Sequence, residues 1–312
     1  MLRTTRLAVL VILNQKPIDD YFKSYQLLLK LSRHLPDRES AVNRKPESEM
    51  VNYMDDKSVK NIAVDKGGSS PTDNPLASTI DKKIFVDQTQ ERFSRALKKR
   101  YQYESNLKPA QEFLLDHVNS KIPLVAMYAD LVGSTNMSMT LPIDKMVTII
   151  RGFAYEMSQV IHHYGGYVLK YVGDAVISFF PSIYDKSFAC NRAVQCAKSM
   201  INVIERGITP VLNHLNYPDL RVKIGLDEGE HVIIQHGHDK SSHIDILGYT
   251  MNRAAKITSL ASPNTIMLAE DVYSVLLPQI RNKFKEIEFS VERWKYINSK
   301  TGQPYKLYSG VK

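Results

Sequence analysis

The sequence predicts a mixed α/β (α+β) domain built around a partly antiparallel sheet and preceded by a helical, partly disordered N-terminal region. Three observations predict it. From about Ile122 onward, short apolar runs rich in β-branched and aromatic residues recur between turn signals, as buried strands do. Segments with apolar residues at helical spacing stand between them. Several of the runs are joined by turns too short for a helical crossover, which makes those neighbours antiparallel.

In chain order, residues 7–13 form an apolar run after Arg3 and Arg6. It is too short to span a bilayer and no small-residue cleavage site follows, so it reads as the first strand or helix of an accessory region. Residues 21–35 carry apolar side chains at helical spacing. Residues 36–79 are rich in Asp, Glu, Lys, Ser, Asn and Pro, include Gly67-Gly68-Ser69-Ser70-Pro71, and read as a flexible linker. Residues 1–80 are therefore expected to be an accessory segment with a linker. Residues 81–121 form a helical connector, with helices over 81–103 and 109–118. The basic cluster Lys98-Lys99-Arg100 reads as a solvated helix face.

The main domain is expected over 122–312. A strand-like run over 123–130 ends in Asp130 and opens into Leu131-Val132-Gly133-Ser134-Thr135. Residues 143–164 form a long helix with Met146, Ile149, Ile150, Phe153, Met157, Val160 and Ile161 on its apolar face, stopped by Gly165-Gly166. A second run over 167–174 ends in Asp174 and is followed by the apolar stretch 175–180. Another helix covers 187–204. Paired strands are expected over 221–227 and 232–235, a further strand over 243–247, and a helix over 250–260.

Composition narrows the function classes. The chain has 312 residues, 43% of them hydrophobic, which is globular. Its formal net charge of +8 suits anionic partners, yet no basic tract interleaved with aromatics appears, which argues against nucleic acid. No segment reads as a membrane span. Cys190 and Cys196, the two cysteines, have no zinc-type spacing and are read as small neutral side chains in a reducing, cytoplasmic setting.

Asp130 and Asp174 are the candidate metal ligands. Each is held at a strand end beside a glycine-containing turn, and magnesium on a nucleotide is commonly bound by one or two carboxylates with phosphates and water. Gly133, Ser134 and Thr135 would offer backbone donors to phosphate oxygens.

Three separated stretches then appear in order: residues 129–135 (Ala-Asp-Leu-Val-Gly-Ser-Thr), 165–174 (Gly-Gly-Tyr-Val-Leu-Lys-Tyr-Val-Gly-Asp) and 244–256 (Ile-Asp-Ile-Leu-Gly-Tyr-Thr-Met-Asn-Arg-Ala-Ala-Lys). Together they resemble the catalytic domain of the class III nucleotidyl cyclases, over about residues 122–280, and most closely the adenylate cyclases. The resemblance implies a ferredoxin-like βαββαβ fold with a mixed, mostly antiparallel sheet. It implies two Mg2+ ions, with Mn2+ possible, on Asp130, Asp174 and the Leu131 carbonyl. It also implies attack of the ribose hydroxyl on the α-phosphorus of ATP, giving 3′,5′-cyclic AMP and pyrophosphate.

The resemblance further makes Lys170 and Asp245 the base-specifying pair. Adenine sets a ring acceptor beside an amino donor, so a donor and an acceptor match it, and cytosine shows the same edge. Asn252 would orient the ribose, and Lys256, four residues on along the same helix face, would stabilise charge on the transferred phosphorus. The family has arginine at that position; lysine keeps the charge and loses the planar fork, so slower turnover is expected. Lys295, Lys300 and Lys306 are candidates for triphosphate contact. All elements occur in one chain, which implies a homodimer with two equivalent sites. Cyclisation of CTP or GTP, or a silent nucleotide-binding role, remain alternatives. His231, His236, His238 and His243 are read as part of a polar hairpin loop.

Overall fold

The computed structural model describes residues 75–98, 107–237, 239, 242–298 and 301–310. The expected elements over residues 7–13 and 21–35, and the linker up to residue 74, lie outside the described residues. Residues Met1–Ser78 and Thr79–Lys312 group as separate units, and the account below concerns the second.

Two helices lead in, α1 (Pro75–Lys98) and α2 (Lys108–Leu115). There follow β1 (Lys121–Val132), α3 (Ser134–Thr140), α4 (Ile143–His163), β2 (Tyr167–Val172), β3 (Ala175–Pro181), α5 (Lys186–Val203), a π-helical segment (Ile204–Ile208) and α6 (Thr209–His214). The remainder comprises β4 (Arg221–Gln235), β5 (Ile244–Leu247), α7 (Tyr249–Leu260), β6 (Thr265–Ala269), α8 (Glu270–Tyr273), α9 (Pro278–Arg281), β7 (Phe284–Ile287) and β8 (Leu307–Gly310).

β1 is antiparallel to both β3 and β4, and β2 is antiparallel to β3. The order β2-β3-β1-β4, with α4 and α5 as the connections, is the βαββαβ arrangement expected. β6 extends the sheet parallel to β4, β8 and β7 complete it antiparallel, and β5 pairs with the far end of β4.

Alternation along β1 divides the apolar residues between two cores. Val125, Met127, Ala129 and Leu131 join α4 and α5 in the larger core, while Leu124 and Ala126 face the smaller one with α2, β5 and α7. α4 presents Ile149, Phe153, Met157, Val160 and Ile161 at helical spacing to the first. Each such side chain, once fully buried, contributes about 1.5–3 kcal/mol before entropy is counted. The helix stops as expected: Gly165 takes φ +67, and the Gly165 and Gly166 N–H groups donate to the His162 and Ile161 carbonyls at 2.9 Å each.

Two boundaries differ from the sequence reading. Strands expected separately over 221–227 and 232–235 are one strand, because β1 pairs with it continuously from Lys121↔Val232 to Val132↔Arg221. The Glu228-Gly229-Glu230 stretch that resembled a turn lies inside this ladder. α1 begins at Pro75, six residues before the expected start, with proline in the first turn where its missing N–H costs nothing. Val86, Phe93 and Ala96 of α1 are buried, and Phe93 belongs to the main core. Arg92 forms an ion pair with the buried Glu156 of α4 at 2.7 Å, and the Thr89 hydroxyl donates to the same carboxylate at 3.0 Å.

Candidate active site

The two predicted carboxylates are brought together by strand register. Asp130 stands opposite Ala175 on β3, so Asp174, one residue earlier, lies in the adjoining β2–β3 turn. Gly173 in that turn takes φ +62, which only glycine adopts without strain. Burial raises the Asp130 pKa, the Asp174 charge raises it further, and Lys223 lowers it. Lys223 is the β4 residue opposite Asp130. A carboxylate whose ionised form is disfavoured by burial and by a neighbouring carboxylate is what a divalent cation relieves, so this donor set fits the expected metals. The Leu131 side chain is buried in the main core, which leaves its carbonyl as the group it could contribute.

Gly133 follows with φ +83 and caps α3, whose first residues are Ser134 and Thr135. The first N–H groups of a helix have no partner within it, so Ser134 and Thr135 present backbone donors one turn from Asp130. The sequence reading names these donors for phosphate oxygens, and they remain candidates for that role.

Lys170 and Asp245 meet although 75 residues separate them. The Lys170 Nζ donates to Asp245 Oδ2 at 2.6 Å, with side chains 33% and 22% exposed. The other Asp245 oxygen accepts from the Ile246 N–H at 2.9 Å, fixing the carboxylate. A bulge between Val168 and Lys170 places Lys170 opposite Ile177, a residue of the smaller core. Tyr128, two residues before Asp130 and on the same face of β1, also packs against that core, and burial followed by the Asp245 charge raises its pKa. Sequence reasoning overlooked Tyr128 because a tyrosine inside an apolar strand reads as core.

Asn252 and Lys256 are both exposed on α7, one turn apart. Between them Arg253 turns the other way and is buried against Asp227 of β4. The sequence reading gave neither Arg253 nor Asp227 a part in the site; a buried ion pair between distant segments leaves no local pattern. Of the C-terminal lysines, Lys306 pairs with Glu286 at 2.9 Å, Lys295 is exposed, and Lys300 lies outside the described residues. His231 is not in a loop: it is a buried residue of β4 opposite Ile122, whereas His236 and His243 flank the β4–β5 connection, and His238 lies outside the described residues. Cys190 and Cys196 are buried in α5, and burial pushes both thiols well up, so they are inert neutral groups.

Residues 118–307 match the family described as the adenylate and guanylate cyclase catalytic domain. The chain belongs to that family. The adenylyl cyclase CyaB from P. aeruginosa shares the fold, with a TM-score of 0.50 at 21% identity over 62% of this chain and 95% of that one. A cytidylate cyclase from Escherichia coli is 29% identical over 191 residues, 58% of this chain and 42% of that protein. A uridylate cyclase from Burkholderia cepacia is 25% identical over 185 residues, 57% of this chain and 77% of that protein. This member of the family thus spans about two fifths of the E. coli relative it matches. The class III resemblance holds, while these two curated relatives carry pyrimidine cyclase names where the sequence reading placed adenylate cyclases first. Among the described residues, no helix is long and apolar enough to cross a membrane.

Proposed function

We propose that this chain is a nucleotidyl cyclase that converts CTP to 3′,5′-cyclic CMP and pyrophosphate at sites shared between two copies of itself. The observation that carries the base choice is the Lys170–Asp245 pair, a donor and an acceptor held 2.6 Å apart. Cytosine presents its ring nitrogen acceptor beside its amino donor, matching that pair in one register. Uracil and guanine present a ring N–H where Lys170 would donate, and the mismatch costs about 1–3 kcal/mol when buried. Adenine shows the same edge as cytosine, so ATP is the second reading. The cytidylate cyclase relative moves CTP ahead of it. Tyr128 lies within electrostatic reach of Asp245, and a ring entering the space beside the reading pair would favour the smaller base.

Asp130, Asp174 and the Leu131 carbonyl would hold Mg2+ or Mn2+, which supplies charge neutralisation for the triphosphate. The protein's own groups do the rest. Backbone donors at Gly133, Ser134 and Thr135 grip phosphate oxygens, Asn252 orients the ribose, and Lys256 balances charge as the 3′-hydroxyl gives up its proton to solvent, its oxygen bonds to the α-phosphorus and the bond to pyrophosphate breaks. Tyr171, Val172, Leu247 and Tyr249 are exposed apolar residues flanking these groups, as expected of a surface that a second catalytic domain covers. Residues 1–80 are proposed to be an accessory segment and 81–121 a connector.

The test is incubation of the purified chain with each of the four nucleoside triphosphates and Mg2+ or Mn2+, with products identified by mass. Cyclic CMP as the main product is expected, and Tyr128→Ala should raise the share of cyclic AMP. No cyclic product from any substrate would sink the enzyme reading. Mixing Asp130→Ala with Lys170→Ala chains should restore about a quarter of wild-type activity, since half the dimers then carry one intact site of two.

A further inference from the structure

We propose that the buried Asp227–Arg253 pair is a positioning device that sets the rotation of α7 on β4 and so the direction of Asn252 and Lys256. It rests on the cyclase reading above. Gly225, Asp227 and Gly229 alternate along β4 and therefore share one face. The two glycines let the helix backbone lie against the strand: a Cβ at Gly225 would stand 2.5 Å from the Thr258 nitrogen and 2.9 Å from the Ala254 carbonyl. At Gly229 it would stand 2.6 Å from the Thr250 hydroxyl. Two bare positions fix how close α7 approaches, and leave it free to roll.

The residue between them prevents rolling. Asp227 accepts from Arg253 Nε at 2.5 Å and from Nη2 at 3.1 Å, a two-point grip that fixes the guanidinium plane as a single hydrogen bond would not. The guanidinium carbon lies 3.9 Å from the Tyr305 ring centre and 5.4 Å from that of Tyr249, and Nη2 is 3.6 Å from Asp271. The Tyr305 hydroxyl in turn donates to Asp271. Arg253 is thus held from β4, from α8 and from the C-terminal segment.

Stability alone does not account for the arrangement. A buried ion pair can often be replaced by apolar residues of similar volume at no cost, so its directional grip is the property an apolar contact lacks. Rotating a helix by about 10° swings a side chain at a radius of about 6 Å through about 1 Å. A misplacement of about 1 Å costs on the order of 100-fold in rate. Asn252 is the neighbour of Arg253 and Lys256 is three residues on, so both move with it.

The test compares wild type with Arg253→Lys, which keeps the charge and loses the fork, and with the double variant Asp227→Leu/Arg253→Met, which keeps an apolar fill. Melting temperature, KM, kcat and amide hydrogen exchange across residues 249–260 are measured on the full chain. Expected are folded variants with KM within about threefold, kcat lower by about 10- to 100-fold, and faster exchange confined to α7. A folded variant with wild-type kcat overturns the proposal, as does a loss of activity that only tracks unfolding in both variants. If the wild type makes no cyclic nucleotide at all, the enzyme reading fails separately. The device is then judged on exchange alone, and unchanged protection of α7 overturns it.

Discussion

Lys170–Asp245 and Arg253–Asp227 are chemically alike, each a cation and a carboxylate about 2.5 Å apart, and the roles proposed for them are opposite. The first pair is partly open to solvent, which is where a base edge is proposed to insert. The second is sealed, with Asp227 fully buried. Burial raises the Asp227 pKa, the Arg253 guanidinium holds it back, and the same pairing raises that of Arg253. A pair proposed to open for a ligand lies near water; the pair proposed to stay closed has its carboxylate fully buried and its guanidinium nearly so.

The largest expected difference comes from breaking each pair by one partner. Arg253→Met leaves a buried carboxylate without its cation, and a loss of about 3–5 kcal/mol in denaturant-unfolding free energy is expected. Asp227→Ala should cost a similar amount. Comparable losses for Lys170→Met would show that the two pairs do not differ in kind.

A second contrast is in pH. His231, buried in β4 beside Gly248 at the start of α7, has its imidazole pulled down to about 4, by burial first and by the Arg253 charge in addition. As pH falls below the ordinary 6.5, the unfolded chain takes up this proton before the folded one does. Stability attributable to His231 is therefore complete above pH 6.5 and lost progressively towards pH 4, by up to about 3 kcal/mol. His231→Phe should flatten that slope in unfolding curves measured from pH 7 to pH 4. An unchanged slope would place the acid sensitivity elsewhere.

These two regions were unequally legible in the sequence. Asp130, Asp174, Gly133 and the helix carrying Asn252 and Lys256 were visible because strand ends, glycine turns and helical spacing are local signals. Lys170 and Asp245 were connected only through the family resemblance, and the fold brings the two side chains within 2.6 Å. The Gly225-Asp227-Gly229 stripe was not visible, since alternation on one strand gains meaning only when a helix 21 to 33 residues later lies across it. The same blindness split β4 in two: its polar centre reads as a turn, and only the unbroken partnership with β1 shows otherwise. His231 was assigned to a loop for that reason.

A smaller effect sharpens the reading pair. Lys170→Ala and Asp245→Ala should each lower kcat/KM for the preferred nucleotide by about 10- to 200-fold, the range of about 1–3 kcal/mol. Discrimination against UTP should narrow by a similar factor. Steady-state kinetics with CTP, ATP and UTP would check this, and an equal loss for all three would mean that the pair grips the substrate without reading its base.

The smallest effect completes the comparison. Since Lys170 and Asp245 are partly solvated, their attraction is screened and offset by the entropy of holding a long side chain. Lys170→Met should therefore change the unfolding free energy by less than about 1 kcal/mol while it alters base choice. Adding salt to about 0.5 M should shift wild type and variant alike, because the Arg253–Asp227 pair lies out of reach of screening ions. A marked salt-dependent loss in the wild type that Lys170→Met abolishes would show that the reading pair also carries stability, which its exposure argues against.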